Sequence, residues 1–385
     1  MSSTQSRTQG RIRTTFLRRG WMYLVVPLSL SLMLPQAAYA SVSATADDTA
    51  RVNGTVFAVA QVGTRTIIGG EFTTVGGVTH NHVAAIRANG TVDPAFTPNI
   101  DGTVRAVAGS ADGSTIYVGG TFTTAGGAAR ANLAAVDAVT GAVVSTWSAD
   151  TAGTDGTVLA LTTSGSTLYV GGRFTGIDGT TRKRLVALNT AGDVVTGFRP
   201  APNGTVRVVT VSTDGTRLFA AGPFTAIGAQ TRPAVAELDP TAGTARAFTA
   251  PSVGSSLVAM GTSPSGNRLY YGTADNRVFA YDTATSSLAW TIKNGGDTQA
   301  IAATDTEVYL GGHFTNNLTN KVRRVWIESV LPSNGSLTSW DPQLSGGSLG
   351  VWAISATPTS LVIGGEFTTA GGVDRRRFAR FAGTP

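Results

Sequence analysis

From residue 50 onward the chain alternates short apolar runs with clusters of glycine, threonine and aspartate. Residues 103–147 show the pattern. Val104-Arg105-Ala106-Val107-Ala108 forms one run, Asp112-Gly113 breaks it, and Thr115-Ile116-Tyr117-Val118-Gly119-Gly120 forms a second. A longer stretch, Thr121 to Asn132, leads to Leu133-Ala134-Ala135-Val136; the chain then turns from Asp137 to Gly141, and Val143 to Trp147 follows. Short apolar runs bounded by Asp-Gly and Thr-Gly are strand and turn chemistry. The pattern predicts four short strands in this stretch and no helix.

The stretch is one copy of a repeat. Phe-Thr recurs at Phe72, Phe122, Phe174, Phe224, Phe314 and Phe367, spaced by 50, 52, 50, 90 and 53 residues. Two residues before each Phe stands a glycine: Gly70, Gly120, Gly172, Gly222, Gly312 and Gly365. The long gap holds a degenerate copy in which Leu269-Tyr270-Tyr271-Gly272 ends the second strand, which makes seven units. Eleven residues after each Phe an apolar residue opens the third strand: Val83, Leu133, Leu185, Val235, Val325 and Phe378. The fourth strand carries an aromatic: Phe96, Trp147, Phe198, Phe248, Trp290 and Trp340. Such columns are expected where each sheet packs both faces on its neighbours, and burying one such side chain is worth about 1.5–3 kcal/mol. The glycines before the Phe let neighbouring backbone approach closely.

These residues carry a resemblance. The unit, a strand ending in Gly-Gly, then x-Phe-Thr, x-x-Gly-Gly, Arg, a strand and Asp-x-x-Thr-Gly, resembles the delta-60 repeat of bacterial surface and secreted proteins. It is also similar to the kelch repeat, whose second strand ends in Gly-Gly. The resemblance spans nearly all of residues 52–381 and implies a β-propeller while saying little about a ligand. The expected fold is all-β, a seven-bladed β-propeller with four-stranded antiparallel blades. The fifth unit departs from the pattern, since a tight turn, Thr273 to Asn276, replaces the long loop. The last unit ends after its third strand, so residues 41–50 are expected to supply the fourth and close the ring, although they contain no aromatic.

Composition changes the picture at the start of the chain. The 385 residues carry a formal charge of +6, but residues 1–40 hold five arginines (Arg7, Arg11, Arg13, Arg18, Arg19) and no acid. Without that leader 24 basic and 23 acidic residues remain, a net charge of +1, which argues against nucleic-acid binding. The leader reads as a signal peptide, with a basic start, an apolar stretch from Trp21 to Leu34, and Ala38-Tyr39-Ala40 before the cleavage point. An uncleaved anchor is the other reading. Cleavage after Ala40 makes residues 41–385 a secreted domain, expected to be a monomer, with no membrane span left. The chain has no cysteine, so no disulfide supports it.

Candidate chemistry is sparse. His80 and His82 lie in the first long loop and are expected to be solvated; His80 stands in a column otherwise filled by Arg130, Arg182, Arg232 and Arg375. A residue repeated in every unit serves the repeat, for example by bonding loop carbonyls. Asn53, Asp101, Asp155 and Asn203, each followed by glycine, precede the first strand in four units. Their oxygens could ring one channel mouth and bind a hard cation such as calcium, or serve as ordinary turn chemistry. The second position of each first strand varies (Phe57, Arg105, Leu159, Arg207, Val258, Gln299, Trp352), whereas two residues on it is always apolar. That contrast suits a pocket at the channel mouth, with Arg105, Arg207, Gln299 and Trp352 as ligand-binding residues for an anionic or sugar-like molecule. No nucleophile elbow, paired-carboxylate motif or phosphate loop occurs. The reading is a secreted, non-catalytic binding or scaffold module whose partner is an extracellular protein or glycan. The alternative is an extracellular enzyme, a metal-assisted lactonase or glycan-cleaving activity, with its site in the same mouth.

Overall fold

The computed structural model describes residues 42–248 and 257–383; the expected leader and its cleavage site lie outside the described residues. There the chain is all-β, with no helix and hence none long and apolar enough to cross a membrane. The described residues form eight antiparallel sheets of three or four strands. One consists of two-residue strands, Thr151–Ala152 with the hairpin of Gly176–Ile177 and Thr180–Thr181; the other seven each have their strands in chain order. Their first strands are Val56–Val62, Thr103–Gly109, Val158–Ser164, Val208–Val211, Leu257–Thr262, Thr298–Ala303 and Val351–Thr357. These stand side by side in order, and the last comes back against the first. The arrangement is the radial one of a β-propeller.

The glycine pairs explain how sheets come so close. At Gly119 an added Cβ would lie 2.4 Å from Val158 Cγ1 of the next sheet, and at Gly120 one would lie 2.0 Å from the carbonyl oxygen of Thr103 in its own sheet. Close approach, not a left-handed backbone, is what both demand, since neither has a positive φ. The six Phe side chains that follow the pairs are all buried. So are the aromatics of the fourth segment, five of which meet a second-strand aromatic, as Tyr117 meets Trp147 at 5.7 Å.

The fourth segment differs from expectation. Among the described residues only the fifth sheet has a full fourth strand, Ser287–Lys293. Elsewhere a single bridge stands in its place, such as Ile86 with Val92 or Val136 with Val143. The chain then turns at once: Trp147 N–H donates to Val144 O and Phe198 N–H to Val195 O. The turn drops the aromatic into the core instead of extending the ladder.

Two further details depart from the sequence reading. The sixth unit carries a longer loop, so Ile327, rather than Val325, opens the third strand opposite Gly311. The loop after each Phe-Thr holds a small hairpin, Thr124–Ala125 with Ala128–Ala129 in the second unit. Its turn residues Gly126 and Gly127 have φ of 54° and 80°, the signature of a two-residue turn that matches strand twist.

The start of the described chain completes the last sheet. Val42 bridges Gly383, Ser43 N–H donates to Ala382 O (2.8 Å) and Asp47 N–H to Arg380 O (2.8 Å). Arg380 Nε pairs with Asp47 Oδ2 at 2.6 Å, and Trp340 Nε1 donates to Ser43 O at 3.1 Å. This pairing covers an edge that would otherwise be open.

Candidate functional site

The seven variable second positions line one cavity of about 650 Å³ at a mouth of the central channel. Below them the apolar positions Val59, Val107, Leu161, Val209, Met260, Ile301 and Ile354 form its floor. A backbone feature sets this position apart. In six sheets it is the extra residue of a β-bulge, between Val56 and Ala58 or between Val104 and Ala106 for example. A bulged residue has no ladder partner and its side chain is re-aimed, so it can vary without disturbing the sheet. In the fourth sheet Arg207 lies just before the strand, and its N–H donates to Ala221 O at 2.8 Å.

Three neighbouring side chains form a ladder on one wall. The Arg105 guanidinium lies 4.1 Å from the centroid of the Phe57 ring, and Phe57 meets Trp352 edge-on at 5.6 Å. Arg105 Nη2 is 3.9 Å from Glu71 Oε1, with its side chain 37% exposed. Arg207 is exposed and forms no ion pair with a described residue. Gln299 Nε2 reaches Asp297 Oδ2 at 3.4 Å, and Asp297 Oδ1 meets His313 Nδ1 at 3.1 Å. Trp352 Nε1 and Gln299 Oε1 are buried and have no hydrogen-bond partner among the described residues. A cation and aromatic surface on one concave wall can hold a polar ring and an anion.

Sequence reasoning missed Arg173, which also lines the mouth and pairs with Asp155 Oδ2 at 2.8 Å. It stands between the Gly-Gly pair and the Phe, a position that also varies: Glu71, Thr121, Arg173, Pro223, His313 and Glu366. The contrast that singled out the first strands was present here too.

The Asx residues do something else. Asn53 Oδ1 accepts from the N–H groups of Thr73 and Thr74, both at 2.9 Å, and its Nδ2 donates to Thr73 Oγ1. Asn203 serves Thr225 and Ala226 in the same way, and Asp101 serves Thr123 and Thr124. Partial burial raises the Asp101 pKa, but these hydrogen bonds outweigh it and hold the carboxyl at about 2. Each side chain thus caps the Phe-Thr loop of its own sheet. Asp155 differs: the longer loop before it lets Ala152 O accept from Thr175 N–H, and Asp155 turns to Thr157 and Arg173. Hydrogen bonds from those two residues lower its pKa. Among the described residues no three His, Asp or Glu side chains gather to hold a metal.

The arginine column serves the loops. Arg130 Nη1 donates to Ala129 O and Nη2 to Ser145 O; Arg232 bonds Thr231 O and Arg246 O, and Arg324 bonds Arg323 O and Thr338 O. His80, which takes this place in the first unit, corrects the expectation of a solvated loop. It is only 3% exposed, and burial lowers its pKa below the ordinary 6.5. The column position points inward, so an imidazole there goes inward too. His82 is half-buried, with Nδ1 3.2 Å from Gly70 O.

Residues 65–96 and 360–383 match the model of a beta-propeller domain of unknown function, DUF5122. No curated protein matches the chain. Among solved structures, a chain from the "Crystal Structure of Mitotic Checkpoint Complex" is similar at a TM-score of 0.62, with 14% identity over 96% of this chain and 99% of that one. The computationally designed Ika8 protein is similar at a TM-score of 0.54, with 13% identity over 89% of this chain and 100% of its own. At such identities the likeness concerns the fold alone, and the fold is a β-propeller.

Proposed function

We propose that this chain is an exported, seven-bladed propeller of the delta-60 type, each blade made of four segments, and that it works as a non-catalytic binding module. Its ligand is an anionic, sugar-like molecule, a glycan bearing carboxylates, held at the channel mouth. One observation carries the reading: seven positions at one depth of the ring carry unlike side chains and line a single cavity of about 650 Å³. The bulge frees that position from the ladder in six sheets, and all seven side chains face the same hollow above a uniformly apolar floor.

The chemistry follows from the side chains. Phe57 and Trp352 offer aromatic surface to the C–H face of a sugar ring. Arg105 and Arg207 supply charge-assisted bonds to a carboxylate, roughly twice as strong as neutral ones. Export rests on the basic start, the apolar stretch and Ala38-Tyr39-Ala40 of the leader.

Two measurements test the proposal. An array of uronate-bearing glycans probed with the exported protein should give binders, and Arg105→Ala with Arg207→Ala should abolish that binding while the melting temperature stays nearly unchanged. A double variant that binds as tightly as wild type overturns the site, and one that unfolds makes the arginines structural. Sequencing the N-terminus of exported protein should begin at residue 41; a mature chain that starts before residue 30 overturns the export reading.

A further inference from the structure

A second concave region lies away from the channel, on the rim of the third sheet. The segment 181–185 and the segment 199–203 enclose a pocket of about 570 Å³. Arg182, Lys183, Arg184 and Arg199 all line it, over apolar surface from Leu185 and Pro200. None of the four cations forms an ion pair with a described carboxylate.

The repeat supplies an internal control. The seventh unit carries three arginines at the places of residues 182–184, namely Arg375, Arg376 and Arg377. That cluster is partly balanced: Arg375 Nη1 lies 3.2 Å from Asp48 Oδ1 and Arg376 Nε lies 3.3 Å from Asp374 Oδ1, and both acids also meet Arg51, at 3.0 and 3.9 Å. In the sixth unit Arg324 pairs with Asp341 at 3.4 Å. The third unit places a similar set of cations where no described carboxylate pairs with any of them.

Arg199 sharpens the difference. In the second, fourth and sixth units the column arginine donates Nη2 to a carbonyl two residues before the buried aromatic: Ser145, Arg246 and Thr338. The equivalent carbonyl in the third unit is that of Thr196, and Arg199 Nε takes it at 2.9 Å. Arg182 keeps only the bond from Nη1 to Thr181 O, at 3.1 Å. Its other terminal nitrogen is released from the role it has elsewhere in the ring. Arg184 likewise spends one terminal nitrogen, Nη1, on Pro202 O at 3.1 Å. The Lys183 side chain is exposed and makes no hydrogen bond to a described residue.

We propose that this pocket is a second binding site and that it takes an oligophosphate. Four like charges in one hollow repel one another, and a counter-anion relieves that cost. A carboxylate brings one charge per group; a phosphate brings up to two, with oxygens spaced for the guanidinium fork. The pocket is also larger than one phosphate group needs, which favours a ligand with several. The site is independent of the channel mouth, because no residue lining one lines the other.

Calorimetric titration of the protein with inorganic tripolyphosphate at low ionic strength tests this. One saturable site is expected, weakened by added salt because exposed charges are screened. Lys183→Gln with Arg199→Gln should weaken it at least tenfold with the melting temperature unchanged, since both side chains are exposed. Arg199→Gln alone should cost more than Lys183→Gln alone, because Arg182 can then return to the Thr196 carbonyl. Arg376→Gln, in the acid-paired sister cluster, and the channel-mouth pair Arg105→Ala with Arg207→Ala should leave binding as it is. Absence of saturable binding, a double variant that binds like wild type, or loss of binding in the channel-mouth pair overturns the proposal. Citrate binding as tightly as tripolyphosphate overturns the choice of phosphate.

Discussion

Gly364→Ala should loosen the contact between the last sheet and the first, where the ring closes. The added Cβ would lie 2.4 Å from Val56 Cγ1, 3.0 Å from Val56 Cβ and 3.1 Å from Val59 Cγ1. Val56 is fully buried, as is Val362 on the same strand as Gly364. Two carbons need about 3.5–4.0 Å, so the strands must part by roughly 1 Å or Val56 must leave its rotamer. Overpacking of that kind costs about 1–3 kcal/mol. In a domain this large that is a fall in melting temperature of about 2–4 °C per kcal/mol or less. Gly197→Ala is the control: an added Cβ there meets nothing within 4 Å and the backbone is not left-handed. That substitution should be neutral or stabilise by about 0.4–1 kcal/mol through the unfolded chain. Val56→Ala destabilises by itself, yet in its background Gly364→Ala should cost less than in wild type, because the clashing methyls are gone. Urea melts of the four variants and wild type measure all of this. If Gly364→Ala is as stable as wild type, or its cost is the same with Ala at 56, the glycine does not owe its place to the neighbouring sheet.

Three other outcomes follow from the same structure. Phe174→Ala should cost about 3–5 kcal/mol, because the ring is fully buried among Val158, Val170 and Ile177; a near-neutral urea melt would mean that the Phe column does not hold the sheets together. Starting the chain at residue 51 should destabilise it more than removing the final three residues, since the first change removes the Asp47–Arg380 pair, the Asp48–Arg375 pair and the bond from Ser43 to Ala382; equal melting temperatures for the two truncations would sink the closing role of that segment. His80 should make stability depend on pH. Burial lowers its folded pKa below the unfolded value of 6.5, so the unfolded chain binds the proton more readily. Stability from this group is then complete above about pH 6.5 and falls as the pH drops below it. The difference in urea midpoint between pH 7.5 and 5 should shrink in His80→Gln, and an unchanged difference would refute the assignment.

What the chain determines by itself is whatever the repeat demands locally. Glycine pairs mark strands that another backbone must approach, Phe and the fourth-segment aromatics mark positions at sheet interfaces, and Asx-Gly marks turns. Each demand recurs once per unit, so periodicity made it legible without a structure. The variable position of the first strand was legible for the same reason, as a place where the repeat relaxes. The reason it relaxes was not: the β-bulge at Phe57, Arg105 and their counterparts depends on strand pairing, which the residue types do not encode. Tertiary structure alone decided that Asn53 caps the loop at Thr73 and that the fourth segment makes one bridge before turning. It also decided that Asp48 quenches Arg375 while Arg182 goes unquenched. These outcomes depend on which groups meet across sheets, or across the whole chain as Val42 meets Gly383. A hydrogen bond or charge pair is settled by a few ångströms of separation, and in a closed ring those separations are set by packing between residues that sequence distance keeps apart.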